Sequence, residues 1–183
     1  MDDTTTSAPS PWLLRFAHLA PALGTALDLA HGAGRHTRYL LQRGMAVTAV
    51  DIDPTGLQDL ETESRLELIA ADLEGDRPWP LPGRRFDLVL VTNYLHRPLF
   101  AALRQSLRPG GVLIYETFAD GNERYGRPRN PDHLLRPGEL LAAFGGSLQV
   151  VAYEHGFEAT PRPAVRQRIV AVADTEPRPL AAP

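Results

Sequence analysis

Ala26-Leu-Asp-Leu-Ala-His-Gly-Ala-Gly-Arg-His-Thr37 is the stretch that decides the fold. Its apolar run, Ala26 to Ala30, reads as a strand that breaks at Gly32-Ala-Gly34. Arg35 to Gln42 then reads as a helix, with Tyr39, Leu40 and Leu41 as its apolar positions. A second apolar run, Met45 to Val50, ends on Asp51, nineteen positions after Gly32. That spacing suits an acid reaching ribose hydroxyls, while glycine lets backbone approach a ligand closely because it has no Cβ. The unit reads as a nucleoside-binding half-fold.

Outward from this unit the alternation continues. Pro54 to Glu63 is expected as a helix, Leu66 to Ala71 as a strand ending at Asp72, and Gly75 to Arg85 as loop. Phe86 to Val91 is nearly continuous apolar, as for a strand buried on both faces, and stops at Thr92-Asn-Tyr94. A helix over Pro98 to Leu107, a tight turn at Pro109-Gly-Gly111 and a strand from Val112 to Tyr115 ending at Glu116 follow. Ala119 to Arg136 lacks any period and is expected as a long binding loop. Pro137 to Phe144 is a last helix, and Leu148 to Tyr153 with Val165 to Val172 a closing hairpin. Before the unit, Trp12 to Leu19 reads as a short helix, packed on the domain edge or covering the ligand pocket. The expected organisation is a flexible leader over 1–11, one domain over 12–173, and a disordered tail over 174–183. Such alternation implies a parallel sheet with helices on both faces and a ligand site outside the strands' carboxyl ends. Gly32, Asp51, Asp72, Asn93 and Glu116 all fall at such ends.

Composition narrows the partners. Net charge is −3 and every one of the 19 basic residues is arginine, so no strong field attracts nucleic acid or anionic membrane. Zero cysteines exclude disulfides and thiolate chemistry. The histidines show no metal-ligand spacing, so no metal site is expected. No apolar stretch has membrane-spanning length, and a cytoplasmic protein is the default expectation.

The choice of nucleoside turns on two positions. Thr37 stands where a dinucleotide-binding GxGxxG would carry its third glycine. Asp28, inside the first strand, would repel a pyrophosphate and attract an ammonium. S-adenosylmethionine has a ribose, an adenine, an ammonium and no phosphate. At these residues the chain resembles the class I S-adenosylmethionine-dependent methyltransferases. Leu27-Asp-Leu-Ala-His-Gly-Ala-Gly34 looks like their first motif, Asp51 their ribose acid, and Ala71-Asp-Leu73 their adenine-side motif. Phe86-Asp-Leu-Val-Leu-Val-Thr-Asn93 is similar to the fourth-strand motif, and Leu107-Arg-Pro-Gly-Gly-Val-Leu-Ile114 to the turn into strand five. A looser likeness points to small bacterial enzymes of the tellurite-resistance and ubiquinone-biosynthesis type. The resemblance implies a Rossmann-like, doubly wound α/β fold of three αβα layers, with seven strands in the order 3-2-1-4-5-7-6 and strand seven antiparallel. His31 departs from the family, which usually carries a small residue there; its side chain either meets the methionine end of the cofactor or points away.

The resemblance further implies S-adenosyl-L-methionine held by Asp28, His31, Gly32, Gly34, Asp51, Ile52, Asp72, Leu73 and Asn93. His96 is the candidate general base just past the fourth strand, with Tyr94 and Glu116 as residues that orient an acceptor. Arg124, Arg127 and Arg129 in the long loop are candidates for closing over an anionic or aromatic acceptor. Little chain remains beyond the cofactor fold, so the expected acceptor is a small molecule. A tRNA or protein methyltransferase and a non-catalytic S-adenosylmethionine-binding protein are the alternatives, with a nicotinamide dehydrogenase disfavoured by Asp28 and Thr37. Oligomeric state is not legible.

Overall fold

β1 (Thr25–Leu29) lies at the centre of a seven-stranded sheet in the computed structural model, which describes residues 8–174 and Glu176. It pairs in parallel with β2 (Ala46–Asp51) on one side and β4 (Phe86–Thr92) on the other. β3 (Leu66–Ala70) extends the sheet beyond β2, and β5 (Leu107–Phe118) extends it beyond β4. β7 (Ala164–Val172) runs antiparallel between β5 and β6 (Gln149–Glu158), giving the order β3-β2-β1-β4-β5-β7-β6. The expected topology is therefore observed.

Both faces of the sheet are covered, which is why β1 and β4 are apolar at nearly every position. On one face, α1 (Pro11–Phe16) and α2 (Arg35–Gln42) bury Trp12, Leu13, Phe16, Leu40 and Leu41 against Leu88, Ile114 and Val170. On the other, α3 (Phe100–Gln105) and α4 (Glu139–Phe144) bury Leu103, Leu140 and Phe144 against Leu113, Tyr115 and Ile169. Each of these large side chains contributes about 1.5–3 kcal/mol by leaving water. No described helix is long and apolar enough to cross a membrane.

Local structure departs from the sequence expectations in several places. Pro54–Leu60 is a continuous 3-10 segment rather than a helix running to Glu63, and Asp53 caps it. The helix expected over 98–107 is a 3-10 turn, Arg97–Leu99, followed by α3, and Leu107 already belongs to β5. Pro109-Gly-Gly111 lies inside that strand, at a register irregularity against Phe86–Leu88, instead of preceding it. β6 and β7 run longer than expected, to Glu158 and from Ala164. The loop over 119–136 is tied down: Ala119 bridges Leu135, and Arg97 bonds Glu139 at 2.6 Å and the carbonyls of Asp132 and Leu134. Residues 1–7 of the expected leader, and Thr175 and 177–183 of the expected tail, lie outside the described residues. Ser10 is buried and its Oγ accepts from the Trp12 amide, so α1 starts on a capped and anchored turn.

Candidate cofactor and acceptor site

The carboxyl ends of β1 and β2 are joined by one carboxylate. The Gly32 amide donates to Asp51 Oδ2 at 2.8 Å, and the Asp53 amide donates to Asp51 Oδ1 at 3.0 Å. Two amides leave lone pairs on both oxygens, enough for two further hydroxyl donors. Gly32 has φ +54°, and a side chain built there would meet nothing within 4 Å, so the outer side of the turn is open. The inner side is closed. A Cβ on Gly34 would lie 2.1 Å from Leu57 Cδ2, and one on Gly56 would lie 2.2 Å from the carbonyl oxygen of Gly32. The 3-10 segment therefore seats directly on the glycine turn, a contact that sequence reading missed although Gly56 was visible in it.

Behind the turn, Asp28 is buried and accepts from Thr37 Oγ1 at 2.6 Å. Burial pushes its carboxyl up to about 7, against the opposing bond from Thr37. Thr37 thus has a physical use at the position where a third glycine was absent. His31 is also buried, with Nδ1 2.9 Å from the carbonyl oxygen of Gly32. Since that oxygen only accepts, Nδ1 carries the proton, and Nε2 is a buried acceptor with no partner among the described residues. Burial lowers the His31 pKa despite Asp51 and Asp53 nearby, which keeps the ring neutral.

Ile52 is 68% exposed directly after Asp51, unusual for so apolar a side chain at a strand end. It lines a recess of about 470 Å³ with Ala70, Ala71, Asp72 and Gly75. Asp72 caps its own turn, its Oδ1 accepting from the amides of Glu74 and Gly75. Leu73 packs onto the core beside it. Tyr94 is half buried and its hydroxyl is without a partner among the described residues. Burial, then the carboxylates of Glu74, Asp72 and Asp51, push its pKa up, and its ring packs against the core. An open glycine turn, a two-armed carboxylate, an exposed apolar platform and a buried acid fit the ribose, adenine and ammonium of S-adenosylmethionine.

A second hollow, of about 730 Å³, lies over the ends of β4, β5 and the β6–β7 hairpin. Asn93, in the left-handed region at φ +58°, stands at its edge next to Glu116, whose carbonyl takes the Asn93 amide at 2.9 Å. Strand register sets Glu116 and Glu154 on either side of Arg168. Arg168 bonds Glu116 at 3.0 Å, Glu154 at 3.3 Å and Glu158. Arg166 bonds Glu158 at 2.6 Å and Asn93 Oδ1 at 2.6 Å, with its guanidinium 4.1 Å from the Phe118 ring centroid. Ala8 to Trp12 and Arg35 complete the wall, with Arg35 donating to the Ala8 carbonyl at 3.1 Å.

The structure thus brings Asn93 and Glu116 together, while Tyr94 packs against the core and lines neither hollow. His96 lines a separate hollow with Glu74, Arg97, Asn130 and His133. Arg124, Arg127 and Arg129 are exposed and line neither hollow. Arg166, Arg168, Glu154 and Glu158 were missed. Their signal was a strand reading Val-Arg-Gln-Arg, with charge on alternate residues facing one side.

Residues 26–111 match the methyltransferase domain family. The chain is 32% identical over 105 residues to malonyl-[acyl-carrier protein] O-methyltransferase of Pseudescherichia vulneris, covering 54% of this chain and 40% of that enzyme. It superposes on TehB from Haemophilus influenzae with a TM-score of 0.73 at 16% identity, covering 93% of this chain and 64% of that one. On the 1,6-didemethyltoxoflavin-N1-methyltransferase of Burkholderia thailandensis, crystallised with S-adenosylhomocysteine, the TM-score is 0.64 at 22% identity, over 89% and 76% of the two chains. That family match covers just under half of the chain, and the superposed structures share its fold. The matched stretches span less than half the length of the curated relatives.

Proposed function

We propose that this chain binds S-adenosyl-L-methionine and catalyses transfer of its methyl group to a small-molecule acceptor. The observation that carries the proposal is the Gly32–Asp51 bracket, open on its outer side and flanked by the Ile52 recess and the Asn93 hollow. Asp51 takes the two ribose hydroxyls, Ile52 lies on the adenine face, and Asp72 with the Leu73 amide reads its edge. Asp28 draws the ammonium, with Gly32 and Gly34 admitting the methionine backbone and His31 Nε2 as an additional acceptor. Bound S-adenosylmethionine supplies a methyl group already activated on a sulfonium. The protein's part is then alignment and exclusion of water. Asn93 and Glu116 hold the acceptor side.

A cytoplasmic location, where S-adenosylmethionine is available, is part of this reading. The test is formation of S-adenosylhomocysteine from S-adenosylmethionine, dependent on an added metabolite extract. Turnover stimulated by extract supports the reading. Tight binding with no stimulated turnover would favour a non-catalytic cofactor-binding protein.

A further inference from the structure

We infer that the acceptor is a carboxylic acid and that the methyl group goes to a carboxylate oxygen, forming a methyl ester. The inference rests on the methyltransferase reading above and names its acceptor class.

Its first support is what the Asn93 hollow lacks. The described residues lining it include no histidine, tyrosine or lysine, and the chain has no cysteine. Two of its three acids are fully committed to arginines. Glu154 spends one oxygen on Arg15 and the other on Arg168, Glu158 spends both on Arg166 and Arg168, and buried Glu116 gives Oε2 to Arg168. His96, the expected base, faces another hollow. A general base must lie within hydrogen-bond reach of the proton it takes, and among the described residues lining this hollow only the carboxylate oxygen Glu116 Oε1 is left without an arginine partner. Such a lining suits a nucleophile that arrives with no proton to lose. A carboxyl group, ionised above about pH 4, meets that condition at neutral pH.

The second support is the guanidinium beside Asn93. Arg166 uses Nε for Glu158 and Nη1 for Asn93, and its Nη2 has no hydrogen-bond partner among the described residues. Guanidinium donors match carboxylate geometry. Arg166 is bonded to Asn93, the residue that follows β4, so an acid held on Nη2 would sit at the β4 end of the hollow. Pro9, Pro11 and Pro161 supply an apolar wall, so the acid has a hydrocarbon or ring body.

The step balances without proton transfer. A lone pair on the carboxylate oxygen forms the bond to the methyl carbon. The carbon–sulfur bond breaks and its electron pair stays on sulfur. Sulfonium becomes neutral thioether, and carboxylate becomes neutral ester.

The test incubates the full chain with S-adenosylmethionine tritiated in the methyl group and a deproteinised extract of the source cells. Transferred label is then treated with mild alkali, which hydrolyses methyl esters to volatile methanol. Release of most transferred label as methanol is expected. Label that stays non-volatile means nitrogen, sulfur or carbon methylation and overturns the assignment. No transfer, from a preparation shown by calorimetry to bind S-adenosylmethionine, also rejects the acid while leaving the cofactor reading intact; absence of that binding rejects both. With the labelled acid in hand, Arg166→Gln should raise the acceptor KM about tenfold or more, and Arg166→Lys should recover part of the loss. An unchanged KM in Arg166→Gln would remove Arg166 from acceptor binding.

Discussion

The Gly32 amide and the Asp51 carboxylate are 2.8 Å apart, so the turn after β1 and the acid ending β2 form one rigid bracket. The 3-10 segment that follows Asp51 is pressed onto that bracket through Gly56. A Cβ at Gly56 would stand 2.2 Å from the Gly32 carbonyl and 2.8 Å from Ala33 Cα, both backbone atoms that cannot rotate away. Gly56→Ala should therefore cost about 2 kcal/mol or more, read as a fall in Tm of roughly 4–8 °C. Gly126→Ala, where a Cβ meets nothing within 4 Å, should stay within about 0.5 kcal/mol of wild type.

Ala30 has φ +55°, immediately before the glycine turn. Left-handed backbone costs a non-glycine residue about 1–2 kcal/mol, while glycine adds up to about 1 kcal/mol of unfolded-state entropy. The two nearly cancel. Ala30→Gly should be neutral or stabilising by up to about 1 kcal/mol in denaturant melts. A loss above about 1 kcal/mol would show that the Ala30 methyl has a packing role.

Two buried groups tilt stability with pH in opposite directions. Asp28 rises from 3.8 to about 7 on folding, so the native state binds the extra proton and stability falls as pH rises between about 4 and 7. His36 drops from 6.5 to about 3 because burial opposes its charge, so stability rises with pH between about 3 and 6.5. Over their shared window the slopes offset. Asp28→Asn should expose the His36 slope, up to about 1.4 kcal/mol per pH unit, in melts between pH 4.5 and 6. Parallel pH profiles for wild type and Asp28→Asn would mean that Asp28 is ionised in the fold.

His96 shares its hollow with Glu74 and His133 rather than with Asn93 and Glu116. His96→Ala should keep kcat within about threefold once an acceptor is in hand. A general base contributes roughly 100-fold or more, so a loss of that size would restore His96 as the base.

The sequence was most informative where one physical rule dominated. Continuous apolar runs marked β1 and β4, and glycines and acids marked the strand ends, so the topology and the positions of Gly32, Asp51 and Asn93 were legible. What escaped was long-range pairing. Arg166 and Arg168 meet Glu116, Glu154 and Glu158 only because β7 runs antiparallel between β5 and β6 with a particular register. The alternation in Val-Arg-Gln-Arg marks one charged face but not what that face meets. His96 and the loop arginines looked well placed because position along the chain follows the strand end. Arg97, bonded to Glu139 and the Asp132 carbonyl, turns that segment away from the Asn93 hollow. Pro54 to Glu63 suggested a full helix because proline starts helices well, but Gly56 has to contact the glycine turn and a tighter segment results.

The central claim is that the Asp51 bracket holds S-adenosylmethionine. Calorimetric titration of wild type and Asp51→Ala with S-adenosylmethionine and S-adenosylhomocysteine, with NAD as control, tests it most directly. Micromolar binding of both adenosyl ligands by wild type is predicted, weakened about tenfold or more in Asp51→Ala through loss of charge-assisted bonds worth roughly 1.5–3 kcal/mol each, with no heat from NAD. Binding of NAD alone, or of neither adenosyl ligand by folded wild type, would contradict it.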